Sequence, residues 1–169
     1  DKLMEMGGDI QVFNHSLFGK EPIADLNIKS SVLNPCEVTP DDVPNLIDEL
    51  PILFIASCFA EGISSFIVIE ELKHKESDRL KAMQDGLNKM RIKNFLDGNV
   101  FCIEGMGKDY KSPNFLAETY YDHRIAMSFA IAGLNSNSSI EIASPESINT
   151  SFPEFIELGK KLGCNFEIS

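Results

Sequence analysis

This 169-residue chain predicts a closed α/β domain built from repeated units, with its most apolar helices buried inside. Three observations carry that reading. Two long apolar runs, opening at Asp48-Glu49-Leu50-Pro51 and at Asp122-His123-Arg124-Ile125, have helical length, and helices that apolar must be covered. Each run leads into a strand pattern, an amphipathic helix and another strand, so the series recurs at an offset of about 74 residues. The opening Leu3-Met4-Glu5-Met6-Gly7-Gly8-Asp9-Ile10 matches only the last helix and strand of such a series, as Leu158-Gly159-Lys160-Lys161-Leu162-Gly163-Cys164-Asn165-Phe166 does. The expected organisation over 1–169 is two repeats plus the end of a third, of pseudo-threefold character, with the missing start of the first unit lying elsewhere in a longer polypeptide.

Taken in order, residues 2–6 read as the tail of a helix stopped by Gly7-Gly8. A strand over 10–13, a Gly/Pro-containing loop and an alternating strand at Leu26, Ile28 and Ser30 follow. Thr39-Pro40-Asp41-Asp42 signals a turn or helix start. A buried helix is expected over 48–61, closed by Gly62, then a strand over 66–69. Leu80, Met83, Leu87 and Met90 recur at i, i+3, i+7, i+10, the stripe of an amphipathic helix whose apolar face is core. Asp97-Gly98 between apolar runs is a hairpin signal. The second buried helix covers 122–134, and a strand is expected over 140–142. Ser151-Phe152-Pro153-Glu154 reads as a capping box opening a helix that Gly163 ends, before a strand over 165–168.

Composition excludes several classes. A formal net charge of −11 leaves too few cations to neutralise a run of phosphates, so no general nucleic-acid surface is expected and any anion site must be local. The longest apolar run, 50–60, is too short to span a bilayer, and the charged start Asp1-Lys2-Leu3-Met4-Glu5 is no signal peptide, which points to the cytoplasm. Cys36, Cys58, Cys102 and Cys164 are widely spaced without C-x-x-C, which favours inert thiols over disulfides or a metal site. There is no Walker loop, no G-x-G-x-x-G after a strand, no HExxH and no G-x-S-x-G; Gly105-Met106-Gly107-Lys108 reads as a flexible loop.

Chemistry concentrates at helix starts. Lys73-His74-Lys75-Glu76-Ser77-Asp78-Arg79 gathers cations and carboxylates where a helix beginning near Ser77 would present free N–H groups to an anion. On such a helix Lys75 and Arg79 share a face at i, i+4, with Glu76 at i, i+3 from Arg79, and such acid–base pairs are usually modest surface ion pairs. Basic residues at a helix N-terminus oppose the macrodipole, however, which favours a bound anion there; His74 is expected to be exposed and incidental. Asp122-His123-Arg124 repeats the anomaly at the second buried helix. Asp48 suits an N-cap and equally a carboxylate poised to take a proton from a hydroxyl.

Four segments carry a family likeness in register: 47–53, 71–80 with its Lys-Glu-Ser-Asp-Arg, Asp122-His123-Arg124-Ile125-Ala126-Met127, and Ser151-Phe152-Pro153-Glu154-Phe155. Together they resemble the 3-phosphoshikimate 1-carboxyvinyltransferase family, the 5-enolpyruvylshikimate-3-phosphate synthases of the shikimate pathway. The resemblance implies an enolpyruvyl transferase-like inside-out α/β domain of βαβαββ-type units with buried helices, with a partial first repeat. It implies the C-terminal portion of one domain of a two-domain enzyme whose N-terminal domain is absent, the active site lying in the cleft between. By motif position it implies Asp48 as acceptor of the hydroxyl proton, Lys75 as a shikimate 3-phosphate ligand sharing in proton transfer, and Glu76 as the acid toward phosphoenolpyruvate. Arg79 and Arg124 would grip phosphoenolpyruvate, with His123 flanking them. No metal or organic cofactor is implied.

The sequence departs from the pattern at His74, where small apolar residues are common, and at Thr150, where some members carry a lysine that contacts phosphoenolpyruvate. The family's Lys-Ser motif, Asn-x-Gly-Thr loop and Ser-Ser-Gln segment do not occur, so the chain by itself is expected to be inactive. A UDP-N-acetylglucosamine enolpyruvyl transferase-like enzyme and a non-catalytic folded module are the alternatives.

Overall fold

A computed structural model describes residues 1–67, 70–135 and 139–167. Its first elements are helix α1 (Lys2–Glu5) and a hairpin of β1 (Asp9–Phe18) and β2 (Glu21–Lys29). Next come β3 (Glu37–Val38), α2 (Val43–Leu46), α3 (Leu50–Cys58), β4 (Glu61–Ile67), a 3₁₀ turn (Glu70–His74), α4 (Arg79–Lys89), β5 (Lys93–Asp97) and β6 (Val100–Met106). The series then restarts with β7 (Phe115–Ala117), α5 (His123–Gly133), β8 (Ile140–Ile142), a 3₁₀ turn (Pro145–Thr150) and α6 (Phe155–Lys161).

The middle series is a complete βαβαββ unit. Its sheet runs in the order β3-β4-β6-β5, with β3 parallel to β4 and the other pairs antiparallel. A second parallel pair, β7 with β8, is spanned by α5 as β3 and β4 are spanned by α3. Parallel neighbours need a crossover, and in both cases the crossover is one of the two apolar helices. Phe54 of α3 is fully buried and meets Phe66 and Phe101 edge-to-face, with ring centroids 4.6 and 5.1 Å apart. Helix α5 packs beside α3 and α4, where an added Cβ at Gly86 would lie 1.9 Å from the ring of Phe129. Only glycine at position 86 lets the two helices approach this closely.

Helices α1, α4 and α6 end alike, each by the same pair of backbone bonds. Gly8 N donates to Leu3 O and Gly7 N to Met4 O, Ile92 N to Leu87 O and Arg91 N to Asn88 O, and Cys164 N to Gly159 O and Gly163 N to Lys160 O, with Gly7, Arg91 and Gly163 left-handed at the stop (φ of 92°, 60° and 90°). These are corresponding helices of the repeat, which recurs in backbone geometry where residue identities differ.

Several expectations are corrected. The hairpin strands are far longer than 10–13 and 26–30, because the Gly/Pro segment pairs through Phe18 and Glu21 around a tight turn; a bulge at Asn14 (φ 54°) interrupts the alternation. Helix α3 ends at Cys58, not 61, since Glu61 and Gly62 already pair with Met106 and Gly105 in the sheet. For the same reason residues 105 and 106 are strand, not flexible loop. Ser151 caps nothing: the chain is leaving a 3₁₀ turn there, and α6 begins after Glu154 with no side-chain cap. Residues 165–167 form no strand, and Ile168 lies outside the described residues, as do Val68 and Ile69 of the expected 66–69 strand. The four cysteines are free, with Cys58 and Cys102 buried; burial pushes the Cys58 thiol far above its usual range.

Candidate active site at three helix mouths

The N-termini of α3, α4 and α5 open onto one patch, and Arg79 joins them. Its side chain is 1 % exposed. Nε donates to Asp122 Oδ2 at 2.8 Å, Nη1 to Asp48 Oδ1 at 2.9 Å, and Nη2 to Glu76. One guanidinium thus ties together three carboxylates that stand one to three residues ahead of the helix starts: Asp122 at the N-cap of α5, Asp48 one residue before the Glu49 N-cap of α3, and Glu76 two before the Asp78 N-cap of α4. Burial works against its charge, but the Asp122 and Asp48 partners more than offset this and raise the Arg79 pKa.

Asp122 is fully buried and caps α5 through Oδ1, accepting from Arg124 N (2.9 Å) and Ile125 N (3.4 Å). Its Oδ2 accepts from Ser77 Oγ at 3.0 Å as well as from Arg79. Two consecutive left-handed residues, Tyr120 (φ 52°) and Tyr121 (φ 60°), set this approach, pinned by Asp122 N on Thr119 O and Thr119 Oγ1 on Ala143 O. Such backbone costs about 1–2 kcal/mol per residue and persists only where its surroundings enforce it.

Asp48 sits at the centre. Arg79 reaches one of its oxygens, Lys75 Nζ lies 3.4 Å from the same oxygen, and Arg124 Nη2 is 3.9 Å from the other. Partial burial pushes the Asp48 carboxyl up, but the Arg79 bond and the charges of Lys75 and Arg124 outweigh it and hold it below the usual carboxylate range. Arg124 donates Nη1 to both Asp48 O (2.8 Å) and Glu49 Oε1 (2.7 Å).

Asp48, Lys75, Glu76, Arg79 and Arg124 are therefore brought together, but not by the helix geometry expected of them. Helix α4 starts after Asp78, whose side chain accepts from Lys81 N, so Lys75 and Glu76 lie in the bend before it. Lys75 reaches the patch from that bend, not from a shared helical face. His123 occupies the first turn of α5, half-buried, and its side chain makes no hydrogen bond or ion pair among the described residues; His74 is exposed. Thr150 is exposed and bonds Ser147 O within its own turn.

The charge balance differs from the expected cationic patch. Among the described residues, three cations (Lys75, Arg79, Arg124) meet five carboxylates (Asp48, Glu49, Glu71, Glu76, Asp122). Basic residues at these helix starts are compensated from within the chain. Asp122 and Ser77 lie in the two clusters that the sequence singles out but carry no expected role, and Glu49 is not an expected site residue, because their partners are remote in sequence.

An α/β domain with two buried crossover helices and a carboxylate–guanidinium cluster at their mouths has the enolpyruvyl transferase fold. EPSP synthase from Acinetobacter baumannii superposes with a TM-score of 0.93 at 43 % identity, over 99 % of this chain and 39 % of that one. The enolpyruvyl transferase NikO from Streptomyces tendae shares the fold alone, at TM-score 0.62 and 18 % identity over 96 % of this chain and 34 % of that one. The model of the family EPSP synthase (3-phosphoshikimate 1-carboxyvinyltransferase) matches residues 1–158, and the chain belongs to that family. Among curated relatives, the 3-phosphoshikimate 1-carboxyvinyltransferases of Zymomonas mobilis and Aquifex aeolicus are each 44 % identical, over 98 % and 92 % of this chain. The chain spans 37 % and 36 % of their lengths.

Proposed function

We propose that the full-length protein transfers the enolpyruvyl group of phosphoenolpyruvate to the 5-hydroxyl of shikimate 3-phosphate with release of phosphate, and that this chain supplies its acid–base and phosphoenolpyruvate-binding half. The observation that carries the reading is the meeting of Asp48, Lys75, Glu76, Arg79 and Arg124 at one patch, each from a segment whose sequence resembles the family's. In this scheme the hydroxyl oxygen bonds to the substituted vinyl carbon as its proton passes to Asp48, and Glu76 protonates the methylene carbon. Return of a proton from that carbon to the Glu76 carboxylate then expels phosphate and restores the double bond.

The electrostatics suit this order. An arriving phosphorylated acid draws Lys75 and Arg124 toward its own charge, weakening what keeps a proton off Asp48, so the base strengthens when its substrate binds. Glu76 must give up Arg79 and take up a proton before it can donate to carbon, and its departure frees one edge of that guanidinium for phosphoenolpyruvate. Residues preceding Asp1 in the full-length protein would complete the first repeat and supply a second domain with most contacts to shikimate 3-phosphate. We place the enzyme in the cytoplasm; no helix among the described residues is long and apolar enough to cross a membrane.

Phosphate release from the two substrates tests the reading. Turnover by the full-length protein and none by residues 1–169 alone is expected. A full-length protein inert toward shikimate 3-phosphate but active on a UDP-sugar acceptor would reassign it.

A further inference from the structure

Glu49 stands at the N-cap of α3, yet its side chain bonds none of that helix's amides. Glutamate is not among the residues favoured there, so helix formation does not account for it. Its carboxylate instead reaches α5 and takes one hydrogen of Arg124 Nη1 at 2.7 Å, while the other goes to Asp48 O at 2.8 Å. Nη2 approaches Asp48 Oδ2 only to 3.9 Å, an ion-pair separation and not a hydrogen bond. A guanidinium grips a carboxylate or phosphate with two parallel N–H groups, and on Arg124 Glu49 holds one of that pair.

The two Nη1 partners differ in how readily they yield. The Asp48 carbonyl is fixed in the backbone before α3, whereas the Glu49 side chain is 55 % exposed and can swing into water. We propose that Glu49 is a specificity-determining competitor: its carboxylate occupies the place on Arg124 that a small phosphorylated acid must take, so that ligands more highly charged than a single carboxylate are selected. The proposal rests on the functional reading above, and it assigns Arg124 a ligand that displaces Glu49 rather than one that adds to it. Exposed ion pairs are weak, so the expected cost to ligand affinity is about two- to five-fold.

The sign of the effect separates this from a positioning role. In the full-length protein, Glu49→Gln should lower KM for phosphoenolpyruvate about two- to five-fold and leave KM for shikimate 3-phosphate where it was. If Glu49 instead orients Arg124, KM for phosphoenolpyruvate rises, and a rise or no change overturns the proposal. Glu49→Ala repeats the test if Glu49→Gln does not fold. Arg124→Gln is the control for the functional reading: it should raise KM for phosphoenolpyruvate strongly. Should that control change nothing, or the wild type turn over neither substrate, the enolpyruvyl assignment fails. Glu49 is then judged by calorimetric binding of inorganic phosphate to the full-length protein, where tighter binding by Glu49→Gln upholds it and equal or weaker binding ends it.

Discussion

At the scale of residues, Asp48 is the junction on which the proposed chemistry turns. It is held by Arg79, Lys75 and Arg124 on its side chain, and by Arg124 again on its carbonyl. Replacing it with alanine leaves the three cations in place and removes the proton acceptor. Asp48→Ala in the full-length protein should therefore lose roughly 10²- to 10⁴-fold in kcat while still binding phosphoenolpyruvate, and near-normal turnover would take the base role from it. A second readout follows from its depressed pKa. A carboxylate whose folded value lies below the unfolded one, about 3.9, stabilises above that pH and loses its contribution as pH falls through the folded value. The acid limb of stability below about pH 4 should accordingly be shallower in Asp48→Ala than in wild type.

At the scale of elements, the mouths of α3, α4 and α5 are locked by one buried pair. Asp122 is fully buried and the Arg79 side chain is 1 % exposed, so removing the acid strands a guanidinium away from water and uncaps α5 together. Asp122→Ala is expected to destabilise the full-length protein by about 3–5 kcal/mol in chemical denaturation. A loss under about 1 kcal/mol would mean that Asp48 and Glu76 suffice to hold Arg79. The same lock explains why helix starts rich in basic residues are tolerated here: each guanidinium has carboxylates from a neighbouring mouth against it, which relieves its conflict with the macrodipole.

On the scale of the whole molecule, the two hairpins of the chain contrast. Strand β6 buries Phe101 and Ile103 completely, between β4 and β5 and beneath α3. The equivalent β1–β2 hairpin pairs Ile10 with Ile28 and Val12 with Leu26 on one face, and adds Leu17 past the bulge. On that face Leu17, Leu26 and Ile28 are 69 %, 58 % and 65 % exposed. Contiguous apolar area of this kind marks a surface that something covers. In the proposed organisation the cover is the first repeat's own strand and apolar helix, from residues before Asp1. Residues 1–169 alone should then bind a hydrophobic dye and self-associate, and Leu26→Lys with Ile28→Lys should suppress both. The same pair in the full-length protein should lower its melting temperature, and an unchanged value would show that the face is open to water there too.

What could be read from the chain alone was whatever short-range pattern encodes. Continuous apolarity marked α3 and α5 as buried, the 3.6-residue stripe marked α4, Asp97-Gly98 marked the β5–β6 turn, and the recurrence of the series marked the repeat. The motifs at Asp48, Lys75-Glu76, Arg79 and Arg124 were visible for the same reason. Boundaries that depend on partners were not: where α3 yields to β4, how far the first hairpin pairs, and whether Ser151 caps a helix. Nor was the charge state of the site. Arg79 meets Asp48 across 31 residues and Asp122 across 43, and Arg124 meets Glu49 across 75. Only packing of the two crossover helices side by side brings those groups within hydrogen-bond reach. Tertiary structure thus decided that the cations are already engaged by carboxylates, because opposite charges far apart along the chain attract appreciably only once folding has set them a few ångströms apart.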